Sequence, residues 1–124
     1  MKKLTVEDIL AQKKLIDKKA NQNFYSKVFN AEIEVKNTKA DSITEILWNN
    51  SDSEFRRYLK LIYLCCPIFK SEELRNSFDN IKEPYDIIER VFGNNLNEII
   101  QLGNFIMTKY GFLDEDLLKS IKKQ

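Results

Sequence analysis

The chain has 124 residues, with 20 Lys and Arg against 19 Asp and Glu, for a formal charge of +1. That length holds one ordinary domain, and the near-neutral balance gives no bulk attraction to nucleic acid or to a membrane. Histidine is absent, and glycine and proline occur only three times and twice. These counts remove imidazole acid–base chemistry and His metal ligands, and they leave too few turn residues for a phosphate-cradling loop or a β-sandwich.

A first helix is expected over 5–19. Thr5 and Asp8 have the spacing of a capping box, Glu7 and Asp8 fall in the first turn, and Lys13, Lys14, Lys18 and Lys19 follow, which is the polarity the helix dipole favours. Its apolar face is thin, with Val6, Ile9, Leu10 and then Ile16, so it packs weakly on its own domain or waits for a partner. Lys2 and Lys3 begin as a signal peptide does, but acids arrive before any apolar run and no window is long enough to span a bilayer. A cytoplasmic protein is expected.

At residue 22 the period changes. Residues 22–37 are rich in aromatic and β-branched side chains in near-alternation, which predicts a β-hairpin turning near Asn30, although no Asn-Gly pair marks the turn. A lone hairpin is marginal in water, so this one must lie against helices or another chain. From Thr38 onward the pattern is helical, giving a helical body over 40–111. Thr38 with Asp41, and Ser51 with Glu54, have capping-box spacing. The strongest helix follows, with Phe55, Tyr58, Leu59, Ile62, Tyr63 and Cys66 on one face; Leu61, Leu64 and Cys65 make its second half apolar all round, as in a buried central helix that Pro67 ends.

Ser71 caps a short helix with Leu74, Phe78 and Ile81. Pro84 starts another with Ile87, Ile88, Val91 and Phe92 inward and Gly93 as its stop. Asn95 and Glu98 open a longer one with Leu96, Ile99, Leu102, Ile106 and Tyr110 inward, stopped by Gly111. A C-terminal amphipathic segment over 113–124 shows Leu117, Leu118 and Ile121. The predicted fold is mainly α, a small helical bundle with one N-terminal β-hairpin, forming a single domain over 1–124.

The candidates for chemistry are few. Cys65-Cys66 ends an apolar helix, which disfavours the thiolate, and adjacent cysteines strain a mutual disulfide; a buried core pair in a reducing compartment is expected. Asp114-Glu115-Asp116 lacks the alternating spacing and glycine of a calcium loop and reads as a helix start. Catalytic residues, metal ligands and cofactors are therefore not expected. Residues 1–40 hold nine basic and five acidic side chains, net +4, and residues 41–124 are net −3. The lysines bring no helix-turn-helix, zinc module or stacking motif, so nucleic-acid binding is not expected from them. Phe24, Tyr25, Phe29 and Trp48 cluster in or near the hairpin, more aromatics than a small hairpin can hide, and exposed aromatics mark interaction surfaces.

The order of these segments resembles the XkdN-like tail assembly chaperone family of phages, prophages and tailocins of Gram-positive bacteria. The residues that carry the resemblance are Leu4-Thr5-Val6-Glu7-Asp8-Ile9-Leu10, the Lys-rich stretch, the hairpin, Tyr58 to Phe78, Glu83-Pro84-Tyr85-Asp86-Ile87-Ile88, and Leu96-Asn97-Glu98-Ile99 through Gly111-Phe112. They span nearly the whole chain, and their order and spacing carry the likeness rather than any one motif. Asn94-Asn95 stands where the family often has a Pro-Gly turn. The resemblance implies a non-enzymatic virion-assembly protein of the host cytoplasm, absent from the mature particle. Such a protein binds the tape-measure protein, and beside it tail-tube subunits, and keeps the former soluble until the tube polymerises. A frameshifted longer form is also a family habit, and Lys122-Lys123 would permit the A-rich slippery codons it needs.

A chaperone of this kind needs a groove or a mobile amphipathic element to cover apolar stripes reversibly. The expected contact residues are Val6, Ile9 and Leu10 of the first helix, Phe24, Tyr25 and Phe29 of the hairpin, and Leu117, Leu118 and Ile121 of the C-terminal segment, with homo-oligomerisation through the same surfaces as a further expectation. The alternative is a small cytoplasmic helical adaptor or regulator that uses its basic N-terminal arm to bind a partner or nucleic acid.

Overall fold

The computed structural model describes residues 2–18 and 21–111, and the predicted contact residues Leu117, Leu118 and Ile121 lie outside them. The fold is mainly α, with one two-stranded antiparallel hairpin among the described residues. An N-terminal arm of two short helices, α1 (Val6–Ala11) and α2 (Lys13–Lys18), precedes the hairpin strands β1 (Gln22–Ser26) and β2 (Ala31–Val35). The remainder is α3 (Ala40–Leu47), α4 (Glu54–Cys65), α5 (Glu72–Asn76), α6 (Ile87–Val91) and α7 (Leu96–Lys109), with short 3-10 turns at Pro67–Lys70 and Pro84–Asp86.

The capping box at Thr5 and Asp8 is present with both of its hydrogen bonds. The single helix expected over 5–19 is instead interrupted at Gln12, whose N–H turns to the carbonyl of Ile9 at 3.1 Å, three residues back. No proline or glycine sits there. Among the described residues the apolar side chains of 6–16 are exposed, and helices this short are marginal without tertiary packing.

The hairpin pairs Gln22 with Val35 through Ser26 with Ala31, and residues 27–30 form its loop. Asn30 closes the loop at φ +52°, a left-handed conformation asparagine tolerates, and accepts the Tyr25 hydroxyl on its side-chain oxygen. Ile33 and Val35 face inward beside Ser26, while Tyr25 and Glu32 face water.

Helix α4 is the hub, as its all-round apolar second half predicts. It touches α3, α6 and α7 and both 3-10 turns, and Leu61, Ile62, Cys65 and Cys66 are fully buried. Side chains from β2, α3, α4, α6 and α7 share one core, including Val35, Ile43, Ile87, Ile88, Ile99, Leu102 and Ile106. Each such aliphatic side chain contributes about 1.5–3 kcal/mol relative to exposure. Cys66 takes the extended backbone (φ −110°, ψ 97°) that a following proline imposes, so Pro67 ends α4 where expected. Helix α6 ends in a Schellman motif. Gly93 and Asn94 are both left-handed, and their N–H groups reach the carbonyls of Arg90 and Glu89 at 3.2 and 3.0 Å.

Three local expectations are corrected. Lys39, without a side-chain hydrogen bond, takes the place expected of Thr38 as the α3 cap. The Thr38 backbone is held instead by the Tyr110 hydroxyl, which accepts its N–H and donates to its carbonyl. Ser53 rather than Ser51 caps α4, by accepting the Arg56 N–H at 3.1 Å. Leu96, expected inward, is exposed, because a residue at the first position of α7 projects past the end of the core.

Candidate partner-binding surface

The arm leaves its apolar side chains in water. Leu4, Val6, Ile9, Leu10, Leu15 and Ile16 are all between 47% and 74% exposed. In α1 the 6, 9, 10 spacing sets three of them on one side of the helix, an apolar stripe that is exposed among the described residues. Thr5 backbone and hydroxyl groups, and then Lys2, hold the Asp8 carboxyl below its usual range, so the cap stays charged at neutral pH. Helix α1 is thus folded and capped, with its apolar face exposed among the described residues.

A second apolar surface lies at the loop end of the hairpin. Glu98, 5% exposed and at the start of α7, accepts the Ser26 hydroxyl and the Val28 N–H, the latter at 3.0 Å. The Ser26 hydroxyl oxygen in turn accepts the Phe29 N–H at 3.2 Å. This clasp presents Phe29 against Phe92, which also meets Phe69; ring centroids are 5.3 and 5.8 Å apart. Between the loop and the 3-10 turn after α4 opens a groove of about 210 Å³ lined by Phe29, Ala31, Glu32, Ile33, Ile68, Phe69, Leu74 and Val91. Ile68 stands on its rim at 62% exposed and, with Leu74, also lines an adjoining concavity that reaches Glu73 and Ser77.

Trp48 follows α3 and is 71% exposed beside Leu47, Arg57, Tyr58 and Met107. Such a large apolar side chain in water is a third potential contact.

The expected contact residues therefore divide. Val6, Ile9 and Leu10 come together on the arm. Tyr25 and Phe29 are exposed near the hairpin loop, whereas Phe24, on the opposite side of β1 from Tyr25, is half-buried with its ring edge-on to Phe105 at 5.5 Å. Leu4, Leu15 and Ile68 belong to the exposed apolar surface and were not expected there. Leu15 is adjacent to Ile16 on a short helix, and Ile68 follows Pro67 in a run that reads as core.

The thiols show no route to nucleophilic chemistry. Cys65 and Cys66 are free and buried, and burial pushes both pKa values up, Cys66 the further. Among the described residues no group of three or more His, Cys, Asp or Glu side chains is placed to hold a metal ion, and no helix is long and apolar enough to cross a membrane. No family model, curated protein or solved structure matches the chain.

Proposed function

We propose that the chain is a non-enzymatic tail assembly chaperone of a phage, prophage or tailocin, acting in the host cytoplasm to bind the tape-measure protein and keep it soluble until the tail tube polymerises around it. The observation that carries this reading is the arm, a capped amphipathic helix whose apolar stripe of Val6, Ile9 and Leu10 is exposed. A tape-measure chain without its tube is itself a long amphipathic helix, and helix-on-helix contact through i, i+3, i+4 anchors is the economical way to cover it. The hairpin-end groove, with Phe29 and Ile68 at its edges, offers a further apolar contact. In the resemblance set out above the same segments occur in the same order.

Co-expression with the tape-measure protein proposed as its partner tests the proposal. The expected result is a soluble long protein that co-elutes with several copies of this one. A tape-measure protein that stays insoluble, with nothing co-eluting, would overturn it. The adaptor reading draws on exposed Lys13 and Lys14 of the same arm and predicts DNA retention that weakens steeply with salt; the chaperone reading predicts no retention.

A further inference from the structure

We propose that the arm of one copy docks in the hairpin-end groove of a second copy, so that the free protein forms a reciprocal dimer by arm exchange. Three observations converge on this. The arm's apolar stripe faces water, and the groove is an apolar slot with Ile68 exposed on its rim. Among the described residues the two do not meet within one chain, for no arm residue lines the groove or its adjoining concavity. The arm joins the hairpin at the Gln22–Val35 end, whereas the groove opens at the loop end, about 13 Å further along the strands.

Charge selects the occupant. Residues 1–40 carry net +4 and residues 41–124 net −3. Glu32 borders the groove with its carboxylate turned out to the Asn23 side chain, Glu73 borders the extension, and no Lys or Arg lines either. Lys13 and Lys14 follow the stripe on the arm and are exposed. A basic, apolar arm and an apolar slot on a body of net negative charge attract each other between copies. Reciprocal exchange closes the contact with two such dockings in one dimer, rather than leaving an open chain of molecules. The dimer needs no client and stands apart from the chaperone reading.

Sedimentation of the full chain over a range of concentrations, combined with engineered cross-links, tests this. The expected mass moves from that of one chain to twice that value as concentration rises, and back towards one as salt is added. Leu10→Asp and Ile68→Asp, both at exposed positions that leave the core intact, each weaken the dimer about tenfold or more. Under mild oxidation, a mixture of Leu10→Cys chains and Ile68→Cys chains forms a disulfide joining one kind to the other; the native thiols are buried and do not compete. A chain that remains monomeric at every concentration overturns the proposal. So does a mixture in which Leu10→Cys chains link only to one another, which means arm-to-arm pairing. A doubly substituted chain that closes its disulfide within itself at high dilution overturns it in favour of docking on its own groove.

Discussion

Glu98 links two parts of the fold that are 70 and more residues apart in sequence, taking the Ser26 hydroxyl and the Val28 N–H onto one carboxylate. Glu98→Ala leaves the buried Ser26 hydroxyl and the part-buried Val28 N–H short of a partner, and it should cost about 1–3 kcal/mol in urea unfolding while loosening the loop that carries Phe29. From sequence the residue reads only as the partner of Asn95 at a helix start. That bond is present, with the Glu98 N–H on the Asn95 side chain at 3.2 Å, but it uses the backbone and leaves the carboxylate free for a contact no local pattern encodes. The cysteines were legible, since an apolar helix end implies buried, protonated thiols. Their pKa values are raised by folding, so their contribution is complete below the ordinary thiol value of 9.0 and is lost as pH rises beyond it, because only the unfolded chain gains by ionising. Stability should therefore fall above about pH 9, and iodoacetamide at pH 8 should spare both thiols in the native protein and label both in urea.

Helix existence was legible and helix ends were less so. Propensity and apolar spacing mark α4 and α7, and Pro67, Gly93 and Gly111 stop their helices as expected. The caps moved where tertiary contacts competed: Thr38 is engaged by Tyr110 from 72 residues away, which no capping-box spacing anticipates. The crossing of α4 on α7 depends on a residue that carries no sequence signal of its own. A Cβ built on Gly103 would sit 2.9 Å from the Tyr58 ring, and that ring is pinned by its hydroxyl on the Asn104 side chain at 2.9 Å. Gly103→Ala gains up to about 1 kcal/mol of helix propensity but overpacks the crossing by about 1–3 kcal/mol. A lower denaturant midpoint is the expected outcome. The arm behaves oppositely, since none of α1 is buried. Deleting residues 2–18 should leave the unfolding free energy of the remainder within about 0.5 kcal/mol of the full chain, as surface changes away from packed features do.

At the scale of the whole molecule, the division is between a body that satisfies itself and an arm that does not. The body gathers Val35, Ile43, Leu61, Ile62, Ile87, Ile88, Ile99, Leu102, Ile106 and both cysteines into one core, and among the described residues no buried side-chain polar atom lacks a partner. The arm is helical, capped and charged, yet spends its isoleucines, valine and leucines on solvent. The thinness of its apolar face was readable from the spacing alone, because too few apolar residues recur to dock a helix on its own domain. The groove was not readable, since it is assembled from the hairpin loop, the turn after α4, α5 and α6, segments joined only by folding. That the arm's apolar stripe exists for a partner is the central claim, and amide hydrogen exchange tests it most directly. The chain is followed alone, at a dilution where it is monomeric, and then with the tape-measure protein proposed as its partner. The prediction is fast exchange across residues 6–16 in the free monomer and marked slowing there on addition of the partner, with α4 and α7 unchanged. An arm that exchanges equally fast in both states, or protection that appears only on the body, would contradict it.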